Sequence, residues 1–190
     1  MNRIVLFVQA LLLCSNAAAQ DAQRAQALTT LPVTAVHLED QFWAPRVEVN
    51  RNRTLATVKR KLIETGAIDN FAIASGRKQG SFRGPFWSDS DVYKWIEGVS
   101  YSLAVHPDPQ LAASIDEVIA SIASAQMKDG YLDTYFQLMY PSGRWLYLAF
   151  GHEMFCAGHM YEAAVAHFEA TGKRTFLDVA TRHADHVDSW

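Results

Sequence analysis

The sequence predicts an all-α fold built from successive antiparallel helix pairs. Two observations carry that prediction. Apolar residues recur at intervals of three and four in five separate stretches, which is the spacing of one helix face. Between them stand Gly, Pro and Asp-Gly turn signals, with no alternating strand pattern and no β-α-β succession.

The elements follow in chain order. "IVLFVQALLLC" runs apolar from Ile4 to Cys14 behind Arg3, and Ala17 and Ala19 precede Gln20 as a small-residue cleavage site. This reads as a secretory signal peptide over 1–19, too short and wrongly flanked for a stable membrane span. Residues 20–32 are polar and alanine-rich and read as a flexible leader. "LPVTAVHLEDQFWAPR" is an extended entry with an aromatic plug at Phe42 and Trp43, turned by Pro45. A first helix is predicted over Val47–Thr65, with Leu55, Val58, Leu62 and Ile63 on one face and Gly66 closing it.

The stretch from Asn70 to Asp91 has no clean period and reads as a long ordered loop, of the kind that often carries function. A second helix starts near Ser88 and ends at "HPDP", with Ser88 and Asp89 as expected caps and Val92, Trp95, Ile96, Val99 and Leu103 as its apolar stripe. A third is predicted from Pro109 to Met127, followed by a turn at Asp129-Gly130. A fourth carries "GHEMFCAGHMYEAA" and ends at "ATGKR", and a fifth runs from Thr175 through Val187. Pairs of this kind form a bundle, a solenoid or one arc of a closed helical toroid, and periodicity does not choose among them. "FLDVATRHADHVDSW" stops in mid-pattern, so the chain is expected to continue.

Composition excludes some functions. The formal charge of -3 argues against a general nucleic-acid or anionic-membrane binder. Of the two cysteines only Cys156 follows the signal, so this is not a disulfide scaffold. The roughly 170 residues after the signal suffice for one core.

Two constellations stand out. His152, Cys156 and His159 lie at spacings of four and three, near one helix face, where thiolate and imidazole suit zinc. Against this, Ala157, Ala163 and Ala164 mark a closely packed helix, and Cys156 is a good small hydrophobe. A metalloprotease lacks the second histidine of His-Glu-x-x-His. His152, at a helix start, can instead hydrogen-bond a sugar hydroxyl while a carboxylate or carbonyl holds its other ring nitrogen. In "FWSDSDVYKWIE", Asp89 and Asp91 stand at a helix N-terminal rim, placed to cap or to hold hydroxyls.

Taken in order, "LEDQFWAPR", "NFAIASG", "FWSDSDVYKWIEGVSYSL", "HPDPQL", "AQMKDGYLDTYF" and "RWLYLAFGHEMFCAGHMYEAAVAHFEATGKRTFLDVATRHAD" resemble glycoside hydrolase family 127, the β-L-arabinofuranosidase-like enzymes, from about Val33 onward. The resemblance implies an incomplete arc of an (α/α)6 toroid over 33–190, followed in the full enzyme by β-rich domains. It implies release of terminal β-L-arabinofuranose from plant-derived glycans with retention. A cysteine nucleophile beside a cysteine- and glutamate-bound zinc, and a separate glutamate acid/base, would lie beyond Trp190. The resemblance places Cys156 in the family's His-Glu-x-x-Cys-x-Gly-His helix, as neither nucleophile nor zinc ligand. It makes His152 a contact of the arabinose ring and sets Asp89 and Asp91 close to the pocket.

The sequence-based expectations are therefore substrate-binding roles for His152, Asp89 and Asp91, with no catalytic residue, metal ligand or cofactor in this stretch and zinc in the complete enzyme. The expected partners are an arabinose-containing oligosaccharide or glycan and the remaining C-terminal part of the same chain. Nucleic acid is excluded, as is a membrane after signal cleavage. The expected location is the periplasm or the extracellular space. The alternative is a secreted, non-catalytic helical module that binds glycans or other partners.

Overall fold

A computed structural model describes residues 29–190; the expected signal peptide and most of the leader lie outside them. The described residues fall into two units divided after Ala35. In the first, a 3-10 turn spans Val33–Ala35. The second, Val36–Trp190, carries everything that follows.

Among the described residues all regular structure is helical. Helix α1 (Trp43–Val49) passes through a π turn (Asn50–Thr54) into α2 (Leu55–Thr65). The helix thus starts earlier than periodicity predicts. Asp40 accepts the Phe42 amide at 2.7 Å and the Trp43 amide beside it, and Pro45 sits in the first turn, where its missing N–H costs nothing. Gly66 takes φ 88° and closes α2 as expected.

The expected loop after it is partly helical: α3 spans Ala67–Ala74. Eight residues are too few to reveal a period, but Phe71 is fully buried and anchors the turn. Asn70, also buried, clamps the following return of the chain by donating to the Arg83 carbonyl at 2.9 Å and accepting the Arg83 amide at 3.0 Å.

Helix α4 (Ser88–Val105) and helix α5 (Pro109–Ala125) follow. The expected caps of α4 do not form: Ser88 donates to the Pro85 carbonyl at 2.5 Å and Asp89 bonds elsewhere. Helix α5 is capped by Asp108, which accepts the Gln110 and Leu111 amides at 2.9 and 3.0 Å. The Asp129-Gly130 turn has Gly130 at φ 92°, so near helix α9 (Thr175–Ser189) that an added Cβ would collide with the Arg182 carbonyl oxygen. Gln126 ties the same turn to α9 by donating to the Gly130 and Val179 carbonyls at 2.9 and 2.8 Å.

Short helices α6 (Thr134–Met139) and α7 (Leu148–Gly151) precede the long α8 (Glu153–Thr171) and α9 (Thr175–Ser189). The predicted fourth helix is broken at His152, which adopts φ 60° between α7 and α8.

Helices α4 and α8 run side by side and in parallel. The Cys156 thiol meets the Trp87 carbonyl at 3.8 Å, and further along both helices the Glu97 carboxylate comes within 4.8 Å of His159 and Glu162. Helices α5 and α9 back them with Ile115, Val118, Ile119, Ile122, Phe176 and Val179 in the common core. Along α8 the core-facing residues are Cys156, Met160, Ala163 and Ala164, mostly small, so the helices approach closely. Among the described residues no helix is long and apolar enough to cross a membrane.

Candidate functional site

The parallel course of α4 and α8 brings their N-termini to one end of the domain. His152 stands there. Its ring packs against Phe86 (centroids 5.1 Å apart), Trp87 (5.5 Å) and Phe155 (5.4 Å). Its Nδ1 lies 2.8 Å from the Phe150 carbonyl oxygen. A carbonyl only accepts, so Nδ1 carries a proton, and of the two uncharged tautomers this selects the one with its accepting lone pair on Nε2.

Beside it opens a cleft of about 380 Å³ walled by Phe86, Tyr135, Phe136, Tyr140, Tyr147 and Phe150. Tyr147 and Phe150 stack at 5.3 Å on its outer side. Aromatic faces with phenolic edges suit a ligand that has both C–H surfaces and hydroxyls.

Asp89 lies beneath this end and is 2 % exposed. Its two oxygens accept the Thr134 amide at 2.7 Å and the Thr134 hydroxyl at 2.6 Å. Burial pushes its carboxyl up to about 6, against the downward pull of those two bonds. Asp133, equally buried, caps α6 through the Phe136 amide at 3.1 Å. Its Oδ2 has no hydrogen-bond partner among the described residues. Burial, and then the charge of Asp89, pushes its carboxyl well above the ordinary range. Asp91 points into solvent with Lys94 at 3.7 Å. The structure therefore brings His152 and Asp89 to the same end, with Asp89 turned inward and Asp91 on the rim.

Glu153, the first residue of α8, is also 2 % exposed. It accepts the Tyr131 hydroxyl at 2.6 Å and the Trp145 amide at 3.0 and 2.9 Å, one distance to each oxygen. Burial raises its carboxyl despite these bonds. Trp145 has φ 62°, a left-handed conformation that costs a non-glycine residue roughly 1–2 kcal/mol. Its indole donates to His186 Nε2 at 3.1 Å, and His186 Nδ1 donates to the Asp129 carbonyl at 2.9 Å. Neighbouring His183 is paired with the Tyr161 hydroxyl at 2.8 Å, and burial, then His186, lowers it to about 4.

Neither histidine stands at metal-ligand spacing from a carboxylate or cysteine in the sequence, and the Tyr131–Glu153–Trp145 links leave no local signal there. Nothing in "RWLYLAFGHE" announces a left-handed tryptophan, and the partners lie 22 and 8 residues from Glu153.

Cys156 is buried, and burial, followed by the charges of Asp89 and Asp133, pushes its thiol far up. His152, Cys156 and His159 do not converge as metal ligands: the histidine at 152 stands off the helix and the cysteine faces the core. The described group that does bring three ligand atoms within 4.8 Å is Glu97, His159 and Glu162, which contains no thiolate and has Glu162 in solvent. A cysteine-bound zinc centre does not fit these residues.

The profile of the family "Beta-L-arabinofuranosidase, GH127 catalytic domain" matches residues 35–190. A curated relative, the non-reducing end β-L-arabinofuranosidase of Bifidobacterium longum subsp. longum, is 43% identical over 129 residues, 65% of this chain and 19% of the relative. The crystal structure of a GH127 β-L-arabinofuranosidase from Geobacillus stearothermophilus T6 superposes with a TM-score of 0.79 at 43% identity, covering 81% of this chain and 25% of that one. A second solved structure, of a GH127 β-arabinofuranosidase, gives 0.76 at 41% identity, covering 83% and 26%. The chain thus spans about a fifth of the curated relative's length and about a quarter of each solved chain. The helix pairs are an arc of the α/α toroid of these structures.

Proposed function

The chain belongs to the glycoside hydrolase family 127 β-L-arabinofuranosidase catalytic domains, and from that we propose that it works, together with further sequence, as a secreted retaining glycosidase releasing terminal β-L-arabinofuranose from plant-derived glycans. The observation that carries this reading is His152. It is held in one tautomer, packed by Phe86 and Trp87, and set beside an aromatic cleft with Nε2 left to accept.

In this reading Nε2 accepts a hydrogen bond from a ring hydroxyl, and the aromatic wall takes the C–H face of the sugar. Both fix the ring for attack, and they accelerate the reaction to the extent that the contacts tighten in the transition state. Asp91, in solvent at the rim, is available to outer hydroxyls. Asp89 supports the site from below through Thr134. Retention requires a nucleophile and a proton donor across the scissile bond. Cys156, buried and protonated, is neither, so we assign these groups and any zinc to residues outside this chain. The apolar stretch before Gln20 supports export to the periplasm or beyond.

The test is expression of the complete reading frame and assay on an aryl β-L-arabinofuranoside, with proton NMR of the first-formed sugar. Release of β-L-arabinose before mutarotation is expected. No release, or initial formation of the α-anomer, overturns the reading.

A further inference from the structure

We propose that Glu153 is a positioning residue. By gripping the Trp145 amide it closes the segment from Trp145 to His152 into a ring, and so sets the place of His152 and of the Tyr147–Phe150 wall. The inference rests on the reading of the cleft as a sugar site.

Glu153 is almost wholly buried and, among the described residues, forms no ion pair. An acid in that position is costly unless its oxygens are used. They are: the Trp145 amide lies 3.0 and 2.9 Å from the two oxygens, and the Tyr131 hydroxyl donates to one at 2.6 Å.

The second observation is backbone conformation. The non-glycine residues with positive φ are Trp145 (62°) and His152 (60°) among the described residues, and they bracket one short segment. Such conformations persist where their surroundings hold them. Within the segment the hydrogen bonds are mostly internal, as with the Gly151 amide to the Tyr147 carbonyl at 2.7 Å and the His152 ring to the Phe150 carbonyl at 2.8 Å. Leu146, Tyr147, Leu148 and Phe150 are exposed, so packing does little to hold it. The Trp145 indole is anchored on His186, but a ring contact does not fix the direction in which the chain leaves Trp145. The amide does, and its acceptor is the residue next to His152 in the chain.

Gly151 completes the closure. A Cβ there would meet the Phe136 ring at 3.2 Å and a Glu153 carboxylate oxygen at 3.6 Å, so the segment is drawn against the very group that holds it.

The experiment compares wild type, Glu153→Ala and Glu153→Gln in the complete protein. Kinetics on an aryl β-L-arabinofuranoside are run well below each melting temperature, and hydrogen exchange is read for the peptides containing Trp145 and the middle of α8. Glu153→Ala is expected to lower kcat/KM roughly 10- to 100-fold, as misplacement of a binding group does. It is also expected to speed exchange at Trp145 while mid-α8 amides stay as slow as in wild type. Glu153→Gln, whose carbonyl oxygen still accepts the Trp145 amide, should return to within about threefold of wild type. A purely stabilising side chain would not give this separation.

The proposal is overturned if Glu153→Ala keeps wild-type kcat/KM, if the Trp145 amide exchanges freely in wild type, or if Trp145 and mid-α8 exchange rise together. Should the wild-type protein leave the arabinofuranoside untouched, the substrate reading fails. The exchange pattern still decides whether Glu153 closes the segment.

Discussion

The carboxylate of Asp89, at the start of α4, receives both the amide and the hydroxyl of Thr134, at the start of α6, across 45 residues of sequence. One residue of α4 thereby fixes the N-terminus of a helix that walls the cleft. Because the pair is buried beside Asp133, it is also a source of pH dependence.

The sign follows from the raised carboxyl. Asp89 titrates near 3.8 when unfolded and at about 6 when folded. Its contribution to stability is complete below the lower value and is lost as pH rises through the higher one. His183, lowered to about 4, acts oppositely and loses stability as pH falls from 6.5 toward that value. The two are separated by substitution. The melting temperature of wild type minus that of Asp89→Asn should rise by several degrees, order of magnitude about 5 °C, between pH 7 and pH 5. A difference independent of pH over that interval contradicts the assignment.

His152→Ala in the complete enzyme should lower kcat/KM roughly 10- to 1000-fold, which corresponds to about 1–4 kcal/mol of transition-state contact. The melting temperature should change little, since the ring is only half-buried. Wild-type turnover by this variant would remove His152 from the site.

For Cys156→Ala the expectation reverses. The thiol fills a core position against the Trp87 carbonyl, so its loss should cost on the order of 1 kcal/mol in denaturant unfolding. Kinetics of the folded enzyme and its metal content should stay at the wild-type level. Stoichiometric loss of zinc in this variant would show that the thiol is a ligand.

Gly130→Ala should destabilise by about 2–4 kcal/mol, because a side chain is forced into a left-handed turn and against a carbonyl of α9. Urea unfolding measures it. Full stability in the variant would mean that the turn and α9 part easily.

Export has its own test. Intact-mass analysis of the secreted or periplasmic product should find the N-terminus at Gln20 or within a few residues of it. A product beginning at Met1 would exclude cleavage.

The long helices were legible because burial leaves a period. The stripe of Val92, Ile96, Val99 and Leu103, the glycine after α2 and the proline at the start of α5 each act over a few residues. Helix α3 was hidden by its brevity. Its anchor, Phe71, becomes a core residue only when the return past Arg83 is in place. His152 could be singled out by its position at a helix start, but the left-handed break that gives it that position could not. The break depends on Glu153 meeting Trp145, a contact set by three-dimensional closure. Asp89 could be placed at the right end of the right helix while its direction stayed hidden, because Thr134 lies far along the chain.

The small side chains along α8 bear on the width of the site. Ala163 and Ala164 are fully buried, and α8 lies against α4. Trp87 and His152 stand at the ends of these parallel helices, so the gap between them is gauged by methyl groups two or more turns away. A bulkier residue at either alanine would act as a wedge, prying the helix starts apart without touching any group that faces the cleft. The width of the cleft can therefore drift through changes in the interior of this arc alone, and a comparison of relatives limited to cleft-lining residues would overlook the alanines that set its bore.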